Sequence, residues 1–210
     1  KQLNRSLKNT KGVAKINRME KNIDTWDVTV IGGGPAGMMS AGTAASRGLK
    51  VLLLEKNSNL GKKLRITGGG RCNITNATFD NRSLLSKYEK ADKFLFSAFS
   101  QHSVKETINF FNNNSLDTKV EAENRVFPVS ERAEDVALVM EKFLHDNKVT
   151  IKTNVTVKSL VTNETGKLYV QTNQGDFYAK SFVLATGGTS RPETGSTGDG
   201  YLWLKRIGHN

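Results

Sequence analysis

The sequence holds one cysteine in 210 residues, no long uninterrupted apolar run, and no acidic residue before Glu20. A single cysteine cannot close an internal disulfide and forms no C-x-x-C pair, which excludes a dithiol redox centre and a cysteine-based zinc site together. No stretch approaches the roughly 18 apolar residues that a membrane helix needs, so a soluble chain without a membrane partner is expected. The lone thiol fits a reducing, cytoplasmic setting. Histidine is scarce as well, at three residues. His102 and His145 fall on helical segments and are expected to face solvent, His209 in "IGH" reads as structural, and none has metal-ligand spacing, so no metal site is expected.

The net charge of +11 would ordinarily point to an acidic partner. Its distribution argues otherwise. Residues 1–18 carry Lys1, Arg5, Lys8, Lys11, Lys15 and Arg18 with no acid, leaving 25 basic against 20 acidic residues in the rest of the chain. A body that is only mildly basic is not expected to bind nucleic acid. Residues 1–18 read as a disordered basic tail foreign to the domain, with Met19 opening a native start. A transit peptide would also be basic and acid-poor, but this stretch has one serine and no apolar face.

From Asp27 onward the sequence becomes specific. "DVTVI" is a short β-branched apolar run, as a buried parallel strand should be. "GGGPAG" follows at once, and Gly32, Gly34 and Gly37 match G-x-G-x-x-G. A helix of small residues comes next, "AGMMSAGTAASR", stopped by Gly48, and then a second strand, "KVLLLE", ends in Glu55. Strand, glycine turn, helix, strand and acid in that order describe a dinucleotide-binding unit. Gly32 permits the tight turn, Gly34 lets a pyrophosphate approach the backbone, Gly37 brings helix against strand, and the helix N-terminus faces the anion. Glu55 is placed to accept from a ribose hydroxyl, and would repel the 2′-phosphate of NADP.

The middle of the chain supplies scaffold. "SVKE", Ser103 to Glu106, is a capping box that opens a helix carrying Ile108 and Phe111 on one face. "SERAEDVALVMEKFLHDNK" predicts an amphipathic helix from Ser130, with Val136, Val139, Met140, Phe143 and Leu144 as its core stripe. "VTIKTNVTV" alternates, with Val149, Ile151, Val155 and Val157 on one face. "KLYVQT" and "DFYA" follow across turns at "NETG" and "NQG", which predicts a small antiparallel meander. "SFVLATGG" then reads as a separate buried strand returning to the parallel sheet.

Three stretches carry a closer likeness. "GKKLRITGGGRCNITN" (Gly61 to Asn76), "RVFPVSERAEDV" (Arg125 to Val136) and "ATGGTSRPETGSTGDGYLWLKRIGH" (Ala185 to His209) resemble the HI0933-like (BaiN-like) bacterial flavoproteins, NAD(P)/FAD-dependent oxidoreductases. The resemblance covers residues 26–210. Arg65 stands where such sequences usually have an apolar residue, and Arg191 where an aromatic is common.

The resemblance implies an α/β fold: a Rossmann-like FAD-binding domain with a parallel sheet and an antiparallel β-meander, truncated at its C-terminus. Residues 24–190 would form this domain, incomplete, and 191–210 would begin the connection to a second one, so that residues 19–210 alone should hold flavin weakly. FAD is the implied cofactor. Its implied contacts are Gly32, Gly34, Pro35, Ala36, Gly37, Glu55, Lys56, Lys63, Thr67, Gly68, Gly69, Gly70, Arg71, Cys72, Asn73, Val157, Ala185, Thr186 and Gly187. In this reading the second glycine triplet turns tightly beside the cofactor and aims backbone N–H groups at it. Arg71 adds a fixed cation there, with Lys62 and Lys63 at the margin, and Asn73 adds an amide for the polar edge of the flavin. The triplet as a plain loop with Arg71 as a surface charge stays open, as does Cys72 as a packing residue or a redox partner.

The implied activity is hydride transfer between a nicotinamide or other donor and an unidentified small-molecule substrate. With one dinucleotide unit in the sequence, any NAD(P)H must dock transiently. No catalytic acid or base can be assigned. Two alternatives remain: a flavoprotein acting in RNA (tRNA) modification, and a flavin-binding module without turnover.

Overall fold

The β-branched run beside the first glycine triplet forms β1 (Thr25–Ile31), where Val28, Val30 and Ile31 are buried. The computed structural model describes residues 25–209; the basic tail and the residues up to Asp24 lie outside the described residues. The glycine turn leads into α1 (Pro35–Ser46), and Gly48, at φ +83°, ends it as its position predicts. β2 (Val51–Leu54) then returns parallel to β1, in register Val28 to Val51 through Ile31 to Leu54.

All four residues of β2 are buried, and their alternation divides the interior into two cores. Val51 and Leu53 join Val28, Val30, Met38, Val136 and Leu144 on one face of the sheet; Leu52 and Leu54 join Ile31, Leu160, Val170 and Trp203 on the other. Both faces of a parallel sheet are thereby covered. α5 (Ala133–Asp146) supplies Val136, Met140 and Leu144 to the first core and packs against α1, with Phe143 so close to Gly42 that a Cβ there would lie 2.2 Å from the ring.

The sheet has six strands in the order β6-β2-β1-β9-β8-β7, where β6 is Thr150–Lys152, β7 Val157–Thr162, β8 Leu168–Thr172 and β9 Gly175–Leu184. A second sheet, β3-β5-β4, is antiparallel and joins Thr75–Asn76, Arg125–Pro128 and Thr118–Glu121. Between β3 and β4 run α2 (Asn81–Leu85), α3 (Asp92–Gln101) and α4 (Val104–Asn113), the last opened by the expected Ser103/Glu106 capping box. α6 (Asp199–Arg206) is the last helix among the described residues and buries Trp203. Among the described residues no helix is long and apolar enough to cross a membrane.

Three expectations are corrected. α5 begins at Ala133, not Ser130, because Glu131 adopts φ +58° and donates its N–H to Pro128 O at 3.0 Å, closing a turn that the helix can only follow. "VTIKTNVTV" is two strands: at Asn154, φ +56°, the chain leaves the sheet edge, and Asn154 and Val155 N–H bond Asn57 O and Glu55 O at 3.1 and 2.9 Å. "DFYA" and "SFVL" are one ten-residue strand, β9. Its first half pairs antiparallel with β8 and its whole second half parallel with β1, so the meander is a lateral extension of the parallel sheet.

Candidate functional site

Gly32 sits at the carboxyl end of β1 with φ +108°, and a Cβ there would lie 2.4 Å from Ala185 O. A Cβ on Gly37 would lie 1.8 Å from Gly32 O, so the helix can meet the turn only if this residue has no side chain. Gly34 differs: a Cβ would meet nothing within 4 Å. It faces open space at the N-cap of α1, which has no side-chain cap, so the first N–H groups of the helix point outward without intrahelical partners.

That space is a cleft of about 450 Å³. Of the residues expected at a cofactor, Gly32, Gly34, Pro35, Ala36, Glu55, Lys56, Lys63, Val157, Ala185, Thr186 and Gly187 all line it. Gly37 is buried behind its wall. Glu55, 7% exposed, accepts from Gly33 N–H at 2.6 Å on Oε2, and from Asn57 N–H and Nδ2 at 2.7 and 2.6 Å on Oε1. A carboxylate offers about four acceptor positions, so capacity for one further hydroxyl remains.

Three lysines cross the cleft to a Gly/Ser/Thr-rich segment ahead of α6. Lys56 Nζ bonds Thr197 Oγ1 at 3.3 Å and approaches Asp199 at 3.7 Å, Lys63 Nζ bonds Ser196 Oγ at 3.2 Å, and Lys62 Nζ bonds Glu193 O at 3.1 Å. Sequence reasoning missed Gly33, Asn57 and Thr194 to Thr197. Only the glycine spacing of "TGSTGDG" marks that last stretch, which reaches the cleft through long-range contacts.

The second glycine triplet lies elsewhere. Thr67, Cys72 and Asn73 line a second cavity of about 420 Å³, which shares Pro35 and Lys63 with the first and is otherwise mostly apolar, including Met39, Ile74, Phe110 and Met140. Gly68, Gly69, Gly70 and Arg71 line neither cavity. The triplet is left-handed throughout, at φ +59°, +68° and +86°, and Cys72 follows at +61°.

Arg71, expected as a fixed cation beside the cofactor, is held by two carboxylates instead of lining a cavity. Its guanidinium donates to Glu121 at 2.5 Å and Glu131 at 3.1 Å and lies 4.2 Å above the Phe127 ring. The hydrogen bond to Glu121 raises the Arg71 pKa and holds the Glu121 carboxyl below its usual range. Lys62, expected at the margin, stands in the cleft wall beside Lys63. The Asn73 carboxamide, oriented with nitrogen toward the two carbonyls, donates to Thr75 O at 2.9 Å and Val126 O at 3.3 Å, and so binds its own strand pair. Arg65, at its unusual position, ion-pairs with Glu134 and with Glu141 at 2.6 Å, tying the loop to α5. Cys72 is buried, and burial pushes its thiol pKa up to about 11. At neutral pH a thiol so raised stays protonated and is a poor nucleophile.

The model for the HI0933-like protein Rossmann domain matches residues 26–210. The chain belongs to the HI0933-like family. It is 35% identical to a 3-dehydro-bile acid delta(4,6)-reductase of Clostridium scindens over 87% of this chain and 44% of that protein. It is 27% identical to a ribosomal RNA dihydrouridine synthase of Escherichia coli over 90% of this chain and 46% of that protein. The chain thus spans less than half the length of these relatives. Among solved structures, the fold matches a 3-ketosteroid delta1-dehydrogenase from Sterolibacterium denitrificans at TM-score 0.67 and 16% identity, covering 89% of this chain and 55% of that one. Family and fold together are those of Rossmann-like FAD-binding domains, and FAD is the cofactor they support. The residues present fit it: an uncapped helix N-terminus before an open glycine floor, a buried carboxylate with a free acceptor position, and a cleft of sufficient size.

Proposed function

We propose that this chain is the cofactor-holding part of an FAD-dependent oxidoreductase that passes hydride from a nicotinamide or other donor to a small-molecule substrate. The observation that carries the reading is the alignment, in one cleft, of the open space before Gly34, the uncapped N-terminus of α1 and the Glu55 carboxylate. When bound, FAD supplies the hydride-accepting ring, and the protein binds, orients and electronically tunes it.

Each element has a task in that arrangement. The α1 N–H groups hold the pyrophosphate, assisted by Lys63, a residue that lines both cavities. Glu55 accepts from the adenosine ribose, with the adenine toward Val157. Past Pro35 and Lys63, Thr67, Cys72 and Asn73 would hold the ring end of the cofactor, and the apolar side chains of the second cavity would exclude water from it. NAD(P)H docks transiently, and a cytoplasmic location fits the free thiol. The apolar lining and the bile-acid reductase relative favour an apolar small substrate.

The relative named as a ribosomal RNA dihydrouridine synthase supports a second reading, in which the substrate is RNA. The test is anaerobic reduction of the yellow full-length protein by NADH or NADPH, followed by reoxidation with added enones or with ribosomal RNA. Reoxidation by an enone alone supports the first reading, by RNA alone the second. A colourless protein that takes up no FAD contradicts both.

A further inference from the structure

Arg71 lines neither cavity, yet Cys72 and Asn73 after it, and Thr67 ahead of the glycine triplet, line the second. Glu121 and Glu131 accept from its Nη2, and Lys119 pairs with the same carboxylates, 3.3 Å from Glu121 and in direct contact with Glu131. Two cations therefore face two anions on β4 and the turn after β5, and the cluster is neutral. Arg71 itself sits between Gly70 and Cys72, in a segment that is left-handed at four of its five residues from Gly68 to Cys72. Such a conformation is strained at Cys72 and must be held from outside. Arg71 is the side chain of this segment that reaches the second sheet, stacking on Phe127 and bonding across to β4. Partly exposed ion pairs add little to stability, so what the cluster supplies is conformation and charge balance.

We propose that Glu121, Glu131 and Lys119 are positioning residues that act through Arg71: they fix the Thr67–Asn73 loop and keep its charge at zero, and thereby set the reduction potential of the flavin ring beside it. This rests on the FAD reading above. Two-electron reduction with uptake of one proton leaves the ring with one negative charge. An uncompensated cation nearby stabilises that form and raises the potential, and loss of a cation lowers it, by shifts that the partial exposure of the cluster keeps modest and that low ionic strength enlarges. None of the three residues lines either cavity, so their effect on the ring is electrostatic and conformational.

The test is the flavin midpoint potential of the full-length, flavin-loaded protein, measured by equilibration with redox dyes, with the melting temperature as a control. Glu121→Gln and Glu131→Gln should each shift the potential upward, Lys119→Met downward, and Glu131→Gln combined with Lys119→Met should return it toward the unmodified value. Opposite shifts from adjacent residues cannot arise from a loosened loop. Potentials that do not move, or that move the same way for the acids and for Lys119, overturn the proposal. If the glutamine variants do not fold, Lys119→Met decides alone: a lower potential supports the proposal, and an unchanged or higher one overturns it. Unmodified protein that takes up no FAD overturns the FAD reading itself, a failure distinct from flavin bound at an unresponsive potential.

Discussion

Glu55 accepts the N–H of Gly33 at 2.6 Å across 22 residues, so the end of β2 grips the middle of the glycine turn. The same carboxylate that should meet the ribose also shapes the floor on which the pyrophosphate rests. Glu55→Ala should therefore do two things: weaken FAD by about 1–3 kcal/mol, and lower the melting temperature of the apoprotein through the unpaired Gly33 and Asn57 N–H groups. Flavin fluorescence titration and thermal unfolding check both. Unchanged affinity would place the acid outside the cofactor site.

Gly34 and Gly37 separate ligand space from packing space. Gly34→Val should leave the fold intact, because nothing in the protein lies within 4 Å of the added Cβ, yet abolish flavin binding by filling the pyrophosphate position. Gly37→Val drives its Cβ into Gly32 O and should cost at least ~1–3 kcal/mol of stability, as overpacking does. Circular dichroism melts read beside bound-flavin absorbance distinguish the two.

Lys63 should matter more to cofactor affinity than Arg71. Lys63→Ala removes a cation that lines both cavities and should weaken FAD by about 1.5–3 kcal/mol, the usual range for a hydrogen bond to a charged group. Arg71→Ala leaves Glu121 and Glu131 with Lys119 as their shared partner and should act chiefly on the loop and the flavin potential. Equal losses of affinity for both variants would mean that Arg71 contacts the cofactor directly.

Cys72 should resist thiol reagents at neutral pH and become reactive only as pH approaches about 11. Its raised pKa also fixes the sign of a stability change. Between the ordinary thiol value of 9.0 and about 11 the unfolded chain ionises first, so stability is full below that window and falls as pH rises through it. Alkylation rates against pH, and melts of Cys72→Ala beside the unmodified protein above pH 9, check the two halves.

What is legible in the sequence is what local chemistry dictates. β1, the glycine turn, α1 and Glu55 follow one another within a single strand-turn-helix-strand unit, and Ser103 and Glu106 cap a helix three residues apart. What stays hidden depends on distant partners. β9 reads as two strands because its halves serve different neighbours, and only the three-dimensional pairing with β8 and β1 unites them. Arg71 looks like a cofactor cation because it stands in a glycine-rich motif, and the carboxylates that claim it lie 50 and 60 residues away. Lys62 looks peripheral until the segment from Glu193 to Ser196 folds back across the cleft to meet it and Lys63.

The central claim is that the cleft before Gly34 holds the pyrophosphate of FAD, and titration of FAD into full-length apoprotein and its Gly34→Val variant tests it most directly. The unmodified protein should bind one FAD per chain, and the variant, melting at the same temperature, should bind none. Equal binding by both, with both folded, would contradict the account.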